Sequence, residues 1–292
     1  MSAPAVERWD DDRLAALVPW PAPDANKYTR GALTLLAGCD RYPGAACLAG
    51  AAAQRAGVGY VTVVCGPEAV GTVRAFRPSL VARSWDGWHP GDLPASRPGH
   101  PSAVAAGPGL DPADPADARR ALAVLRACAA PLLLDGGALA ALATGEGRAL
   151  AAARATEGRP LVLTPHGGEA ARLACAARIS EAEPALLAGA LARSYGAVCV
   201  LKGPDTYVSD GTRVVLVDRG TAALAKAGTG DVLAGVIGAL LAQGLAPLDA
   251  AVLGATLHAE AGRVAEERHT AIGVIPEDVV EVLPEAFRCL AG

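Results

Sequence analysis

The sequence predicts an α/β fold: a central, mostly parallel β-sheet flanked by helices on both faces, with a small antiparallel edge. Three observations predict it. Short apolar runs recur along the chain with Ala-rich stretches of helical length between most of them, and strands alternating with helices imply βαβ units. The runs are continuously apolar instead of alternating, as strands covered on both faces are. Asp210-Gly211, between two β-type runs, is a hairpin signal that places antiparallel pairing there.

Taken in order, the first 26 residues are rich in Pro and Asp and read as a surface leader, and residues 27–292 as a single domain. Strands are expected at Ala32–Ala37, Tyr60–Cys65, Ala103–Ala106, Pro131–Leu134, Leu161–Leu163 and Ala197–Leu201. Helical stretches include Gly44–Ala56, Ala116–Ala129 and Glu183–Tyr195, and the Pro-rich stretch from Trp85 to Pro101 is expected to be a surface loop. The hairpin runs Thr206–Ser209 and Arg213–Val217 follow, and three helices close the chain at Thr229–Gln243, Leu248–His269 and Glu277–Arg288.

Composition excludes several classes of function. With 52% apolar and 19% charged residues in 292, the chain is no disordered segment. Only 4% aromatic residues and a net charge of −4 argue against a nucleic-acid partner, which would need stacking platforms and a basic groove. The seven cysteines are scattered without C-x-x-C spacing, so neither a zinc knuckle nor a redox dithiol is indicated. Their odd number reads as reduced core thiols. The acidic N-terminus lacks the features of a signal peptide. The uncharged run from Val232 to Leu248 is interrupted by Gln243 and Pro247 and falls short of a membrane span. A cytoplasmic protein without a membrane partner is expected.

Chemistry concentrates where apolar runs end. Ala227-Gly-Thr-Gly-Asp231 places a Gly-rich turn at a helix start, where free N–H groups make an anion cradle. Asp231 is then either a first-turn carboxylate that complements the helix dipole or a general base beside the cradle. Thr164-Pro-His-Gly-Gly-Glu169 leaves a strand with His166 and Glu169, readable as a helix cap or as site residues. Lys202-Gly-Pro-Asp-Thr206 ends another strand, and Gly107-Pro-Gly-Leu110 and Leu134-Asp-Gly-Gly137 follow two more. Ligands of α/β sheets bind at such carboxyl ends, and five polar or Gly-rich exits on one side are hard to assign to turns alone. No P-loop and no G-x-G-x-x-G occurs, which disfavours a dinucleotide-dependent oxidoreductase.

These motifs, with Lys27-Tyr-Thr-Arg-Gly31 and Gly38-Cys-Asp-Arg-Tyr-Pro-Gly-Ala45 before them, resemble in order those of the bacterial ADP-dependent NAD(P)H-hydrate dehydratases. The resemblance runs from about Lys27 onward and implies a ribokinase-like fold. It implies an enzyme that repairs the S-epimer of hydrated NADH or NADPH by phosphorylating the ring hydroxyl and eliminating phosphate, with ADP (or ATP) as donor and Mg²⁺ assisting. It further implies Asp231 as base and substrate contact, and Gly228, Thr229 and Gly230 as N–H donors to the transferred group. Lys202, Gly203, Pro204, Asp205, Thr206 and Gly230 become nucleotide contacts, and Ala45, Gly109 and His166 contacts to the hydrate. Glu169 would help place Mg²⁺, through water. Relatives form homotetramers, so a homo-oligomer is expected. Many relatives also carry an epimerase domain; a leader of 26 residues is too short for one, so the epimerase is expected as a separate chain.

Three positions depart from the family pattern. Cys39 replaces the usual Ser and loses a hydroxyl contact to phosphate, Asp111 replaces a further Gly, and Lys226 stands where relatives carry a small or uncharged residue. Lys226 is expected in solvent, with a phosphate contact as the alternative. Two other functions compete: an ATP-dependent small-alcohol kinase of the same superfamily, acting on a thiazole or pyrimidine alcohol, and a nucleotide-binding module without catalysis.

Overall fold

The computed structural model describes residues 5–93 and 95–291. Residues 1–4 of the expected leader, Pro94 of the expected loop and the terminal Gly292 lie outside them. The strands are β1 (Val6–Glu7), β2 (Ala32–Leu36), β3 (Tyr60–Cys65), β4 (Val81–Ser84), β5 (Ser102–Ala106), β6 (Leu132–Leu134), β7 (Leu161–Leu163), β8 (Val198–Leu201), β9 (Thr206–Ser209) and β10 (Val214–Val217). They form one sheet in the order β1-β10-β9-β8-β7-β6-β5-β2-β3-β4. Pairing is parallel except where β9 meets β8 and β10, so the antiparallel edge lies where Asp210-Gly211 places it.

The helices are α1 (Asp11–Leu17), α2 (Pro43–Arg55), α3 (Ala69–Phe76), α4 (Pro115–Ala127), α5 (Gly136–Leu142), α6 (Gly145–Thr156), α7 (Gly167–Ala177), α8 (Pro184–Tyr195), α9 (Thr229–Ala242), α10 (Pro247–Gly273) and α11 (Pro276–Ala291). Successive strand residues point to opposite faces, and two cores result. Ala103, Ala105 and Val162 join α1, α2, α3, α9, α10 and α11 on one face. Val104, Ala106, Leu161 and Leu163 join α4 to α8 on the other. This double covering is why the strands read as unbroken apolar runs.

One expectation needs correction, and one strand carries no sequence signal. The N-terminal segment is not only a surface leader: β1 pairs in parallel with β10, and Trp9, Leu14 and Val18 are buried in the first core. Sequence reading overlooked this because a two-residue strand has no periodicity and α1 is only two turns long. It also overlooked β4, whose Arg83 and Ser84 break the apolar signal at the opposite edge.

Candidate functional site

β2 is followed by β3 on one side and by β5 on the other, so the crossing direction reverses between β2 and β5. Such a switch point opens a crevice beyond the strand ends. Two loops meet there: the Gly38 N–H donates to the Pro108 carbonyl (2.8 Å) and the Cys39 N–H to the Gly109 carbonyl (2.9 Å). Gly109 has φ 67, and a Cβ on it would lie 2.7 Å from the Ala45 Cβ. Ala45 and Gly109, two of the residues expected against the hydrate, are therefore neighbours. Cys39 is buried in the second core.

Further along the sheet the strand exits are stitched together by backbone hydrogen bonds. Asp135 N–H reaches the Ala106 carbonyl, Thr164 N–H the Leu134 carbonyl, and Lys202 N–H the Pro165 carbonyl. Their side chains then converge. Lys202 Nζ lies 2.8 Å from Asp135 Oδ1 and 4.0 Å from Glu169 Oε2. The same Asp135 oxygen accepts from Thr164 Oγ1 at 2.6 Å. The sequence marks Asp135 only as part of a strand-exit turn. Its side chain is 5% exposed, and its position directly after an apolar run was the available signal.

The Gly-rich turn faces this group. Gly228 caps α9 with φ 100, leaving Thr229, Gly230 and Asp231 as the first helical residues. Among the described residues no backbone carbonyl takes the Gly230 or Asp231 N–H, whereas the Thr229 N–H makes a long bond (3.4 Å) to the Lys226 carbonyl. The Thr229 hydroxyl points backward to the Leu224 and Lys226 carbonyls. A Cβ on Gly230 would lie 3.4 Å from Lys202 Nζ, so the ammonium stands at the turn itself.

Electrostatics distinguish the carboxylates. Burial pushes the Asp231 carboxyl up to about 7; Asp135 and Glu169 push the same way and Lys202 opposes them. Burial works against the Lys202 ammonium, but Asp135, Glu169 and Asp231 outweigh it and its pKa is raised. A carboxyl titrating near neutrality beside a fixed cation is suited to accepting a proton.

These groups line a cavity of about 820 Å³ that takes in His166, Glu169, Lys202, Gly203, Pro204, Thr206 and the turn from Gly228 to Asp231. Of the expected nucleotide contacts, Asp205 is exposed and does not line it. His166 and Glu169 also form a capping box at the start of α7: Gly168 N–H donates to His166 Nδ1, and His166 N–H to Glu169 Oε2. The cap reading of that motif is thus observed, at the edge of the cavity that both residues line. Val217, Leu224, Leu233, Ala255 and Ala259 add an apolar wall. His258 stands in that wall with its Nε2 buried and unpartnered. Burial lowers its pKa to about 4; the Thr229 carbonyl opposes this and Lys202 adds to it. Lying mid-helix, His258 has no local sequence signal. Lys226 is half-buried and its ammonium is not free in solvent as expected: its Nζ donates to the Ile272 carbonyl (2.7 Å) and to the Val274 carbonyl.

Comparison with known proteins gives this geometry a family. A chain from Salinibacter ruber, described as a bifunctional NAD(P)H-hydrate repair enzyme, is 38% identical over 91% of this chain, which spans about half of that relative's length. An ADP-dependent (S)-NAD(P)H-hydrate dehydratase from Xanthomonas campestris is 32% identical over 91% of both chains. The crystal structure of the ADP/ATP-dependent NAD(P)H-hydrate dehydratase from Bacillus subtilis, co-crystallized with ATP/Mg²⁺, superposes with a TM-score of 0.80 at 28% identity over 99% of both chains. The profile of the NAD(P)H-hydrate dehydratase family matches residues 33–285, and with that span the chain belongs to this family.

Proposed function

We propose that this protein is an ADP-dependent dehydratase that returns hydrated NADH or NADPH, in the S form, to NAD(P)H. The observation that carries the reading is the placement of Asp231. Its carboxyl, pushed up to about 7, occupies the first turn of α9 in the cavity that Lys202 and the Gly-rich turn share. Phosphoryl transfer needs charge neutralisation and in-line placement more than covalent help. The free N–H groups of Gly230 and Asp231, the helix dipole and Lys202 supply the first. Asp231 supplies the second by taking the proton of the ring hydroxyl as that oxygen attacks the terminal phosphorus of ADP.

The phosphorus–oxygen bond to AMP then breaks, and AMP departs. In the phosphorylated hydrate the ring nitrogen's lone pair expels phosphate, and loss of a proton from the adjacent ring carbon restores the double bond. The sum is NAD(P)H, AMP and phosphate from hydrate and ADP. The adenine base would occupy the apolar wall, with Lys202, Gly203, Pro204 and Thr206 along the nucleotide, while His166 within the cavity and Ala45 and Gly109 outside its lining would contact the hydrate.

Mg²⁺ binds through one or two carboxylates, phosphate oxygens and retained waters. No described group of three or more His, Cys, Asp or Glu forms a metal cage, so Glu169, beside Lys202 and mostly buried, fits this donor set through water. When bound, the ion would neutralise phosphate charge. An epimerase that interconverts the two hydrate epimers is the reaction that would supply the S form.

The test combines hydrated NADH, the protein, Mg²⁺ and either ADP or ATP, following reduced-nicotinamide absorbance and phosphate release together. Equal yields of NADH and phosphate are expected, with ADP the better donor. No recovery with either nucleotide, while ADP still binds, would replace this reading with a small-alcohol kinase.

A further inference from the structure

Only Lys27, Lys202 and Lys226 are lysines among 26 basic residues, and Lys226 lies two residues ahead of the turn glycine Gly228. Its ammonium is committed to two backbone carbonyls, those of Ile272 and Val274. Both belong to the exit of α10, where the helix breaks at Thr270 (φ 62, ψ 159). A break leaves the final carbonyls without the N–H groups of a following turn. A cation there satisfies the orphaned acceptors and meets the negative end of the helix dipole.

The Lys226 backbone holds the other side of the same junction. Its carbonyl accepts from the Thr229 hydroxyl at 2.9 Å and from the Thr229 N–H at 3.4 Å, so the first residue of α9 hangs from Lys226. The α10–α11 junction also touches the turn directly: a Cβ on Gly228 would lie 2.9 Å from Pro276 Cγ. Side chain and backbone of one residue thus link the helix exit to the cradle.

We propose that Lys226 is a positioning residue for phosphoryl transfer, anchoring the Gly228-Thr229-Gly230 turn to the α10–α11 junction without binding the nucleotide. This rests on the reading that the turn receives the phosphoryl group. A displacement of about 1 Å in such a cradle costs up to about 10²-fold in rate, whereas nucleotide affinity, spread over the rest of the cavity, changes little.

The experiment compares Lys226→Met, which keeps the stem and removes the donors, with Lys226→Arg, which keeps donors, in the full chain. It reads kcat, KM for ADP, and amide hydrogen exchange across residues 226–232 without ligand. Lys226→Met is expected to lower kcat by about ten- to a hundredfold with KM for ADP within about threefold, the pattern of a lost transition-state contribution. Exchange at Thr229 and Val232, whose N–H groups bond the Lys226 and Gly228 carbonyls, should quicken, and Lys226→Arg should restore both readouts. A KM for ADP raised about tenfold at constant kcat would overturn the proposal in favour of a phosphate contact. Unchanged kcat and exchange would overturn it in favour of a bystander. Should Lys226→Met not fold, Lys226→Gln, with one amide donor group, should fall between wild type and zero in kcat, and wild-type values there would overturn the proposal. Exchange is read without substrate, so wild-type protein that leaves hydrated NADH untouched sinks the functional reading and still decides this one.

Discussion

Asp231 sits in an unusual balance for a carboxylate: a helix dipole and Lys202 favour its charge, while burial and two neighbouring carboxylates oppose it more strongly. If it is the base, kcat/KM for the hydrate falls as pH drops through about 7, because the protonated form cannot accept the hydroxyl proton. Asp231→Asn is expected to lower turnover by about 10²–10⁴-fold and to leave ADP affinity within about tenfold. Near-normal turnover in that variant would remove Asp231 from the mechanism. The same substitution has a stability signature. The folded carboxyl holds its proton up to about 7, while the unfolded one releases it near pH 4, so native stability declines between those values and the full cost is present above about 7. Asp231→Asn should therefore melt higher than wild type at pH 8, by roughly 2 °C or more, with the gap closing toward pH 4. A melting curve that reverses this order would show that Asp231 is better solvated than its position indicates.

At the scale of elements, the site is made by strand exits that brace one another. Gly107, with φ 121, lies so close to the neighbouring exit that an added Cβ would stand 1.7 Å from the Asp135 carbonyl oxygen. Gly107→Ala is expected to destabilise the protein by on the order of 3 kcal/mol or more, through backbone strain and forced separation of β5 and β6. Denaturant unfolding measures it, and a loss below about 1 kcal/mol would show that the two exits move independently. Asp135 braces in a second way, since its Oδ1 serves both Lys202 and Thr164. Asp135→Ala leaves a largely buried ammonium beside the weaker Glu169 contact, a change that costs on the order of 3 kcal/mol. Activity should fall with it, because Lys202 loses the partner that holds it at the turn. Asp135→Asn, which keeps an acceptor, should recover more of the stability than of the activity.

For the molecule as a whole, the cavity lies over the β6–β10 part of the sheet: the exits of β6, β7 and β8 supply one wall, and the first turn of α9 with the middle of α10 supplies another. A ligand spanning both should tighten the fold as a unit. ADP at about a hundred times its Kd adds about 2.7 kcal/mol, and melting should rise by roughly 5 °C or more in a single transition. Two transitions, with only one raised by ADP, would show that the two walls melt separately. Among the described residues no helix is long and apolar enough to cross a membrane.

The sequence by itself determined the parallel sheet, its antiparallel edge and the chain positions of the chemical groups. Each of these depends on local pattern: apolar runs at Tyr60–Cys65 and Leu161–Leu163 match β3 and β7 residue for residue, and Asp-Gly marks its own hairpin. Gly-Thr-Gly-Asp announced a helix start for the same reason, since a positive φ at Gly228 is a property of one residue. Tertiary structure alone decided the partners. Lys202 and Asp135 stand 67 residues apart and meet because β6, β7 and β8 lie side by side. His258 entered the cavity wall only through the packing of α10 against α9. The Lys226 ammonium found partners because the break at Thr270 left two carbonyls open to it, a long-range electrostatic contact that no window of sequence contains. The N-terminal segment joined the core for a similar reason: β10 offered an unpaired edge, and Trp9 and Leu14 had apolar surface to bury.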